Sequence, residues 1–260
     1  MIDIGANLTN AAFHNDLEAI LARATDAGIE AIIATGTSIA SSETAIALCT
    51  RYATRLYCTV GVHPHDAATV SNGWIDELER LAASPKVRAI GETGLDFNRN
   101  HSPPADQHHV FASQLELAAR LQLPVFVHDR DTQGAVGVHL ARHRNTLRDV
   151  IVHCFTGNAS DLHRYLDLDC HIGITGWICD ERRGVELYSL AADIPDNRLL
   201  IESDAPYLLP RTLTPRAGIH RNEPANLIWI ARQLARARNQ SVEHVRAVTT
   251  ANARRVFALD

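Results

Sequence analysis

Short apolar runs rich in β-branched residues alternate along the whole chain with stretches whose apolar positions recur every three or four residues. This is the pattern of βα units around a parallel sheet. It predicts eight strands, at Met1–Leu8, Ala31–Thr35, Leu56–Val62, Val87–Ile90, Val125–His128, Val150–His153, His171–Ile174 and Leu199–Ile201. Helices are predicted between them at His14–Ala27, from Ser41-Ser42-Glu43 onward, and at Trp74–Ala83, Ala105–Leu121, Ala135–Arg142, Ser160–Leu166 and Gly184–Ala192. Two more, Pro224–Arg238 and Val242–Leu259, follow the last strand. No Ser/Gly-rich linker or low-complexity tract interrupts the series, so a single domain over residues 1–260 is expected. Eight such units in 260 residues fit a (β/α)₈ TIM barrel, which takes about 250. A doubly wound sheet would want a glycine-rich turn after the first strand, and Asp3-Ile4-Gly5-Ala6-Asn7 is not G-x-G-x-x-G.

Composition narrows the class without changing the fold. A hydrophobic share of 46% and a charged share of 21% are ordinary for a globular chain able to bury its own core. The five cysteines are odd in number and form no C-x-x-C pair, which argues for a reducing compartment and against a disulfide framework. Neither a basic, apolar leader nor a run of about 20 apolar residues is present, so a cytoplasmic protein without a membrane span is expected. A net charge of −5 excludes a protein that coats nucleic acid electrostatically, and confines any such contact to a groove or pocket.

The chemistry-bearing side chains fall in one kind of place. His63 and His65 follow the third predicted strand, Glu92 the fourth and Asp204 the eighth; His128 closes the fifth and His153 the sixth. All are at C-terminal strand ends, where barrel enzymes keep their active sites. An unpaired imidazole or carboxylate closing a buried strand costs several kcal/mol. A shared cation removes that cost by offsetting carboxylate repulsion and using neutral imidazoles as ligands. Any one histidine is as readily a satisfied core residue; the joint placement of Glu92, His128, His153 and Asp204 is what favours a metal site. Arg99, Arg130, Arg182, Arg183, Arg211 and Arg221 lie in predicted loops on the same face, as phosphate clamps or as ordinary solvated charge. Asp180-Glu181-Arg182-Arg183 reads equally well as a self-paired run. Trp177, Tyr207 and Phe97 are candidates for stacking on bases or for rim packing. Strand alternation points Cys154 away from His153, toward the helices, and Cys179 has no adjacent histidine base, so neither reads as a nucleophile. The absence of G-x-S-x-G, a P-loop and H-E-x-x-H argues against serine-hydrolase, P-loop and zincin chemistry.

Five stretches in order, Gly61-Val62-His63-Pro64-His65, Ile90-Gly91-Glu92-Thr93-Gly94-Leu95-Asp96, Pro124 to His128, His153-Cys154-Phe155-Thr156-Gly157 and Leu200 to Leu208, together with Arg221-Asn222-Glu223-Pro224, resemble the signatures of the TatD family of metal-dependent deoxyribonucleases. The resemblance spans nearly the whole chain and implies a barrel of the amidohydrolase-like kind. It implies Glu92, His128 and His153 as metal ligands, Asp204 as ligand or water-orienting base, and His63 as a phosphate or substrate contact. The chain departs from the family at the first strand, where Gly5 and Asn7 stand in place of an H-x-H pair, as in a branch of the family that shares this loss. Asn7 can still offer a carbonyl oxygen, suited to Mg²⁺ or Mn²⁺, and a larger oxygen share favours Mg²⁺ over Zn²⁺, with Mn²⁺ and Zn²⁺ as alternatives.

The resulting expectation is a monomeric, metal-dependent 3′→5′ exonuclease on single-stranded DNA or RNA, with a role in DNA repair or nucleic-acid degradation. Catalysis is assigned to Asp204, Glu92 and His63, and substrate contacts to His65, Arg99, Arg130 and Arg221. Two alternatives compete: an amidohydrolase-type hydrolase of small molecules, against which the missing H-x-H and bridging lysine count, and a non-catalytic nucleic-acid-binding barrel, against which the intact set of four ligand-type residues counts.

Overall fold

The structure, a computed structural model, describes residues 1–52, 55–214, 218 and 220–259. In chain order its elements are β1 (Ile2–Ala6), α1 (Leu17–Asp26), β2 (Ala31–Ala34), α2 (Ile39–Arg51), β3 (Leu56–Val60), α3 (Trp74–Ala82), β4 (Val87–Asp96), α4 (Pro104–Leu121), β5 (Val125–Arg130), α5 (Ala135–His143), β6 (Val150–Val152), α6 (Ala159–Asp167), β7 (His171–Ile174), α7 (Val185–Leu190), β8 (Leu199–Ile201), α8 (Leu227–Ala237) and α9 (Val242–Phe257). The strands follow one another in sheet order from β1 to β8, as the alternation of patterns predicts. The chain divides into two compact units, one of Met1–Ala34, Cys154–Asn158 and Ile172–Asp260, the other of Thr35–His153 and Ala159–His171. Among the described residues no helix is long and apolar enough to cross a membrane.

In the first unit β1 pairs in parallel with β2, Ile2 opposite Ala31, and β7 with β8, Ile172 opposite Leu199. A parallel bridge between Ala6 and Ala205 ties the end of β1 to the segment after β8. Every residue of β1, β2, β7 and β8 is buried, which explains continuous apolar runs in place of alternation. In the second unit β3, β4, β5 and β6 pair in parallel in that order. α3 shows why the helical stretches were legible: Leu78 and Leu81 are buried, with Asp76 and Glu77 in its first turn and Arg80 in its last. α2 begins two residues ahead of the expected Ser41, because the Ser38 side chain accepts from Ser41 N and the Ser41 hydroxyl accepts from Ser38 N, a reciprocal cap.

The main departure is β4. The predicted strand stops at Ile90, but pairing continues to Asp96, with Thr93 opposite Val127, Gly94 opposite His128 and Asp96 opposite Arg130. Glu92 therefore sits inside a strand, not beyond one. The register shifts between Ile90 and Thr93, where Gly91 has φ 141°, and an irregularity of this kind re-aims the side chain beside it. Gly91 and Gly94 are spacers in a crowded ladder: a Cβ on Gly91 would lie 2.3 Å from Phe126 O, and one on Gly94 1.9 Å from His128 O. β5 likewise runs on to Arg130, while β6 ends at Val152, leaving His153 just past it.

Candidate metal centre

Four side chains of the second unit meet at one oxygen. Glu92 Oε1 lies 2.7 Å from His153 Nε2, 3.0 Å from His128 Nδ1 and 3.3 Å from His63 Nε2. Glu92, His63 and His153 are buried and His128 is half-buried. His63, Glu92 and His128 place ligand-type atoms within 4.8 Å of one another. Phe126 stacks on the His153 ring at 4.6 Å and walls one side. Burial by itself would raise the Glu92 carboxyl, yet His153 and His63, with bonds from His128 and His153, hold it well below the usual carboxylate range. Burial lowers His63, with Glu92 opposing. Burial would also lower His128, but the Asp96 and Glu92 carboxylates overcome it and raise it.

The contacts around this oxygen fix the tautomer of one imidazole, His63. His63 Nδ1 accepts from His65 N at 3.1 Å, so the neutral His63 ring carries its proton on Nε2 and donates toward Glu92. His128 stands between two carboxylates, its Nδ1 3.0 Å from Glu92 Oε1 and its Nε2 3.4 Å from Asp96 Oδ2. His128 Nδ1 and His153 Nε2 face this carboxylate oxygen at 3.0 and 2.7 Å, gaps that protons bridge in the free protein and that a bound cation takes over. One carboxylate and two imidazoles are a donor set that fits a divalent metal, and Asp96 beside His128 is the kind of outer carboxylate that orients a ligating histidine.

Asp96 and two glutamines are the residues that pattern reading missed. Asp96 Oδ2 also takes the His65 Nε2 contact at 2.7 Å, so His65 bears on the cluster through Asp96. His65 and His128 help hold the Asp96 carboxyl below its ordinary range despite burial. On α4, buried Gln107 accepts from Asp96 N at 2.8 Å and donates to Asp96 O at 3.1 Å. Buried Gln114, two turns later, accepts from Val62 N at 2.8 Å and donates to Val62 O at 3.0 Å and to Thr93 Oγ1 at 2.6 Å. Each amide clamps backbone beside a cluster residue. The signal available in the sequence was two polar positions on the apolar face of that helix.

Asp204 belongs to the first unit. It follows β8 in the left-handed region at φ 52°, its N donates to Gly5 O at 2.8 Å, and its Oδ1 accepts from Asn7 Nδ2 at 3.0 Å. Below it Asp3, on β1, is fully buried and accepts from Ser203 N at 2.8 Å and Gly5 N at 3.3 Å. Burial pushes the Asp3 carboxyl up from 3.8 to about 7. An unfolded chain releases that proton near pH 4 and the folded one near pH 7, so folding takes up a proton in between and stability falls as pH rises through that window. At about 1.4 kcal/mol per unit the loss is on the order of 4 kcal/mol. Asp3→Asn keeps an oxygen for both donors and should abolish this slope; urea titrations at about pH 5 and about pH 8 in which the two proteins lose stability in parallel would contradict it.

The remaining candidates divide. Arg99 is exposed and gives its backbone N to Asp96 Oδ1 at 2.8 Å, and Arg130 ends β5 with Nε 3.8 Å from Asp131. Arg221 is committed: it holds Asp16 at 3.0 and 2.6 Å, donates to Ala12 O, and lies over the Phe13 ring. Arg182 and Arg183 pair with Asp180, the self-paired alternative, and Arg211 with Glu181. Cys154 does not follow strand alternation, because it lies beyond β6 at φ 46°; its N donates to Glu202 Oε1 at 2.6 Å and its Sγ lies 3.6 Å from Thr175 Oγ1. The Cys179 thiol is buried and pushed up to about 11, which makes it inert.

A family model described as TatD related DNase matches residues 2–258. The chain belongs to the TatD family. It is 48% identical over 257 residues to the protein of Cronobacter turicensis named 3′-5′ ssDNA/RNA exonuclease TatD, covering 99% of this chain and 97% of that one. It is 47% identical over 257 residues to the protein of the same name from Salmonella typhimurium, covering 99% and 98%. The crystal structure of the TatD homolog YjjV from Escherichia coli K12 matches with a TM-score of 0.91 at 28% identity, over 100% of this chain and 98% of that one. Molinate hydrolase, at a TM-score of 0.60 and 9% identity over 99% of this chain and 73% of its own, shares the fold alone. The TatD fold here is thus the (β/α)₈ barrel of the amidohydrolase-like kind, as expected.

Proposed function

We infer that this TatD protein is a metal-dependent hydrolase of phosphodiester bonds, a 3′→5′ exonuclease on single-stranded DNA or RNA. The observation that carries the reading is the convergence of His128 Nδ1 and His153 Nε2 on Glu92 Oε1, with His63 donating to the same oxygen. The relatives named as exonucleases, similar over nearly their whole length, support it.

Glu92, His128 and His153 would hold the cation, with Asp204 as a further ligand or as the base. Mg²⁺ is the assignment we favour over Zn²⁺, on the strength of the oxygen donors Glu92, Asp204 and Asn7, which suit Mn²⁺ as well. When bound, a divalent cation supplies Lewis acidity toward a phosphoryl oxygen and acidifies water. Asp204 takes the proton of the attacking water as its oxygen bonds to phosphorus, and the bond to the sugar oxygen breaks, that leaving oxygen taking a proton from solvent. Asn7 Nδ2 donates to Asp204 Oδ1 and so orients the carboxylate. His63 Nε2–H donates to phosphate oxygen as charge develops there, and Arg99 and Arg130 neutralise the flanking phosphates. His65 positions His128 through Asp96. Arg221 would have to leave Asp16 to reach a phosphate. In this reading the protein works as a monomer in the cytoplasm, in repair or turnover of nucleic acid.

The test is an end-labelled oligonucleotide assay on purified protein. Single strands should shorten stepwise from the 3′ end with added Mg²⁺, and EDTA should stop the reaction. Shortening that persists in EDTA, or none with any divalent metal, overturns the reading.

A further inference from the structure

The segments after β7 and after β8 build a second feature within the first unit. Gly176, Trp177, Asp180, Arg182 and Arg183 from one, and Leu208, Leu209 and Arg211 from the other, line a cavity of about 220 Å³. Its organiser is Asp180, whose side chain is only 4% exposed. That carboxylate accepts from Arg182 N at 3.0 Å and Nε at 3.3 Å, and from Arg183 N at 3.3 Å and Nε at 3.0 Å. Arg211 Nε stands 3.8 Å away and pairs with Glu181 at 2.8 and 2.6 Å. The Arg182 and Arg183 side chains remain 62% and 58% exposed. Three guanidinium groups against two carboxylates leave a local positive charge on a chain of net charge −5.

The feature is rigid and combines two recognition chemistries. The Trp177 indole donates to Arg183 O at 3.2 Å and lies 4.5 Å beneath the Arg183 guanidinium. A Cβ on Gly176 would sit 2.0 Å from Leu208 O, and one on Gly184 2.1 Å from Trp177 O, so the segments pack backbone against backbone and hold the donors in place. Planar guanidinium groups match phosphate oxygens in pairs, and an indole beside them offers a stacking surface for a base. The cavity is smaller than the roughly 300–1,000 Å³ that encloses a drug-sized molecule, and suits one unit of a polymer. Its lining residue Leu208 comes four positions after Asp204, with Ala205, Pro206 and exposed Tyr207 between them, and the Tyr207 hydroxyl accepts from Asn10 Nδ2.

We propose that Trp177, Arg182, Arg183 and Arg211 form a strand-holding subsite for single-stranded nucleic acid, binding a phosphate and base of a nucleotide other than the one released. This rests on the nuclease reading. The test measures anisotropy of a fluorescein-labelled dodecathymidylate over a series of salt concentrations, with EDTA present. In R182Q/R183Q/R211Q, Kd should rise about tenfold and the slope of log affinity against log salt should shallow by about 0.7 for each phosphate that is no longer neutralised. W177A should weaken binding about tenfold with the slope kept. Because the triple variant takes away the cationic partners of Asp180, R182K/R183K/R211K is measured alongside, and it should retain the wild-type salt slope. Wild-type affinity and slope in the glutamine and alanine variants overturn the subsite. Shortening of dodecathymidylate and of the dinucleotide TpT by the wild type in Mg²⁺ tests the parent reading separately. If neither is shortened, the nuclease reading falls and anisotropy still decides the subsite; if both are and the glutamine variant keeps its KM on the longer strand, the subsite alone falls.

Discussion

Glu92→Gln should lower the rate of strand shortening by roughly a thousandfold or more while leaving the protein folded. The side chain is the same size, but an amide cannot do what Glu92 Oε1 does. That oxygen is approached by three imidazole nitrogens at 2.7–3.3 Å, and its negative charge is what keeps them there. Glutamine offers these nitrogens a weaker, neutral acceptor and offers a cation a poorer ligand. The loss should fall on metal affinity and kcat together, and a metal titration of activity should show saturation displaced or abolished. Because Glu92 is the buried acceptor of these imidazoles, the thermal midpoint is measured alongside, and a cooperative transition shows that the variant stays folded. Activity within threefold of wild type at equal metal concentration would contradict the assigned role.

Asp204→Asn should cost about 10²–10⁴ in kcat with little change in KM, the range that general-base removal produces. Asparagine tolerates the φ of 52° as well as aspartate does, and the bond from Asp204 N to Gly5 O does not involve the side chain. Local structure should therefore survive, and the loss isolates the proton-accepting oxygen. A variant that retained kcat but bound substrate weakly would assign Asp204 to binding, and would remove it from the chemistry. The comparison is made on one oligonucleotide at saturating Mg²⁺, with initial rates over a substrate series.

What the pattern of residues could and could not reveal follows from the range of the forces involved. The order of β and α elements was legible because burial on both faces of a parallel sheet writes apolar runs directly into the chain. Glu92, His128 and His153 were legible as a group because polar side chains at the ends of such runs need a shared reason. The length of β4 was not: Gly91 and Gly94 carry the local signature of a turn, and their real task, keeping Cβ atoms out of Phe126 O and His128 O, exists only once β5 is alongside. Asp96 was read as the last letter of a motif, since its partners His65 and His128 are 31 and 32 positions away in sequence. Arg221 looked like every other loop arginine until Asp16, 205 positions earlier, claimed it. Long-range pairing of polar groups leaves no periodic trace.

The central claim is that Glu92, His128 and His153 jointly grip a divalent ion. The most direct measurement is an anomalous difference map from a crystal of the protein grown with Mn²⁺. A peak about 2.1 Å from Glu92 carboxylate oxygen, His128 Nδ1 and His153 Nε2, with His63 Nε2 outside the coordination sphere, is the result expected. A crystal that shows manganese only elsewhere, or none while the three side chains keep their places, would contradict it.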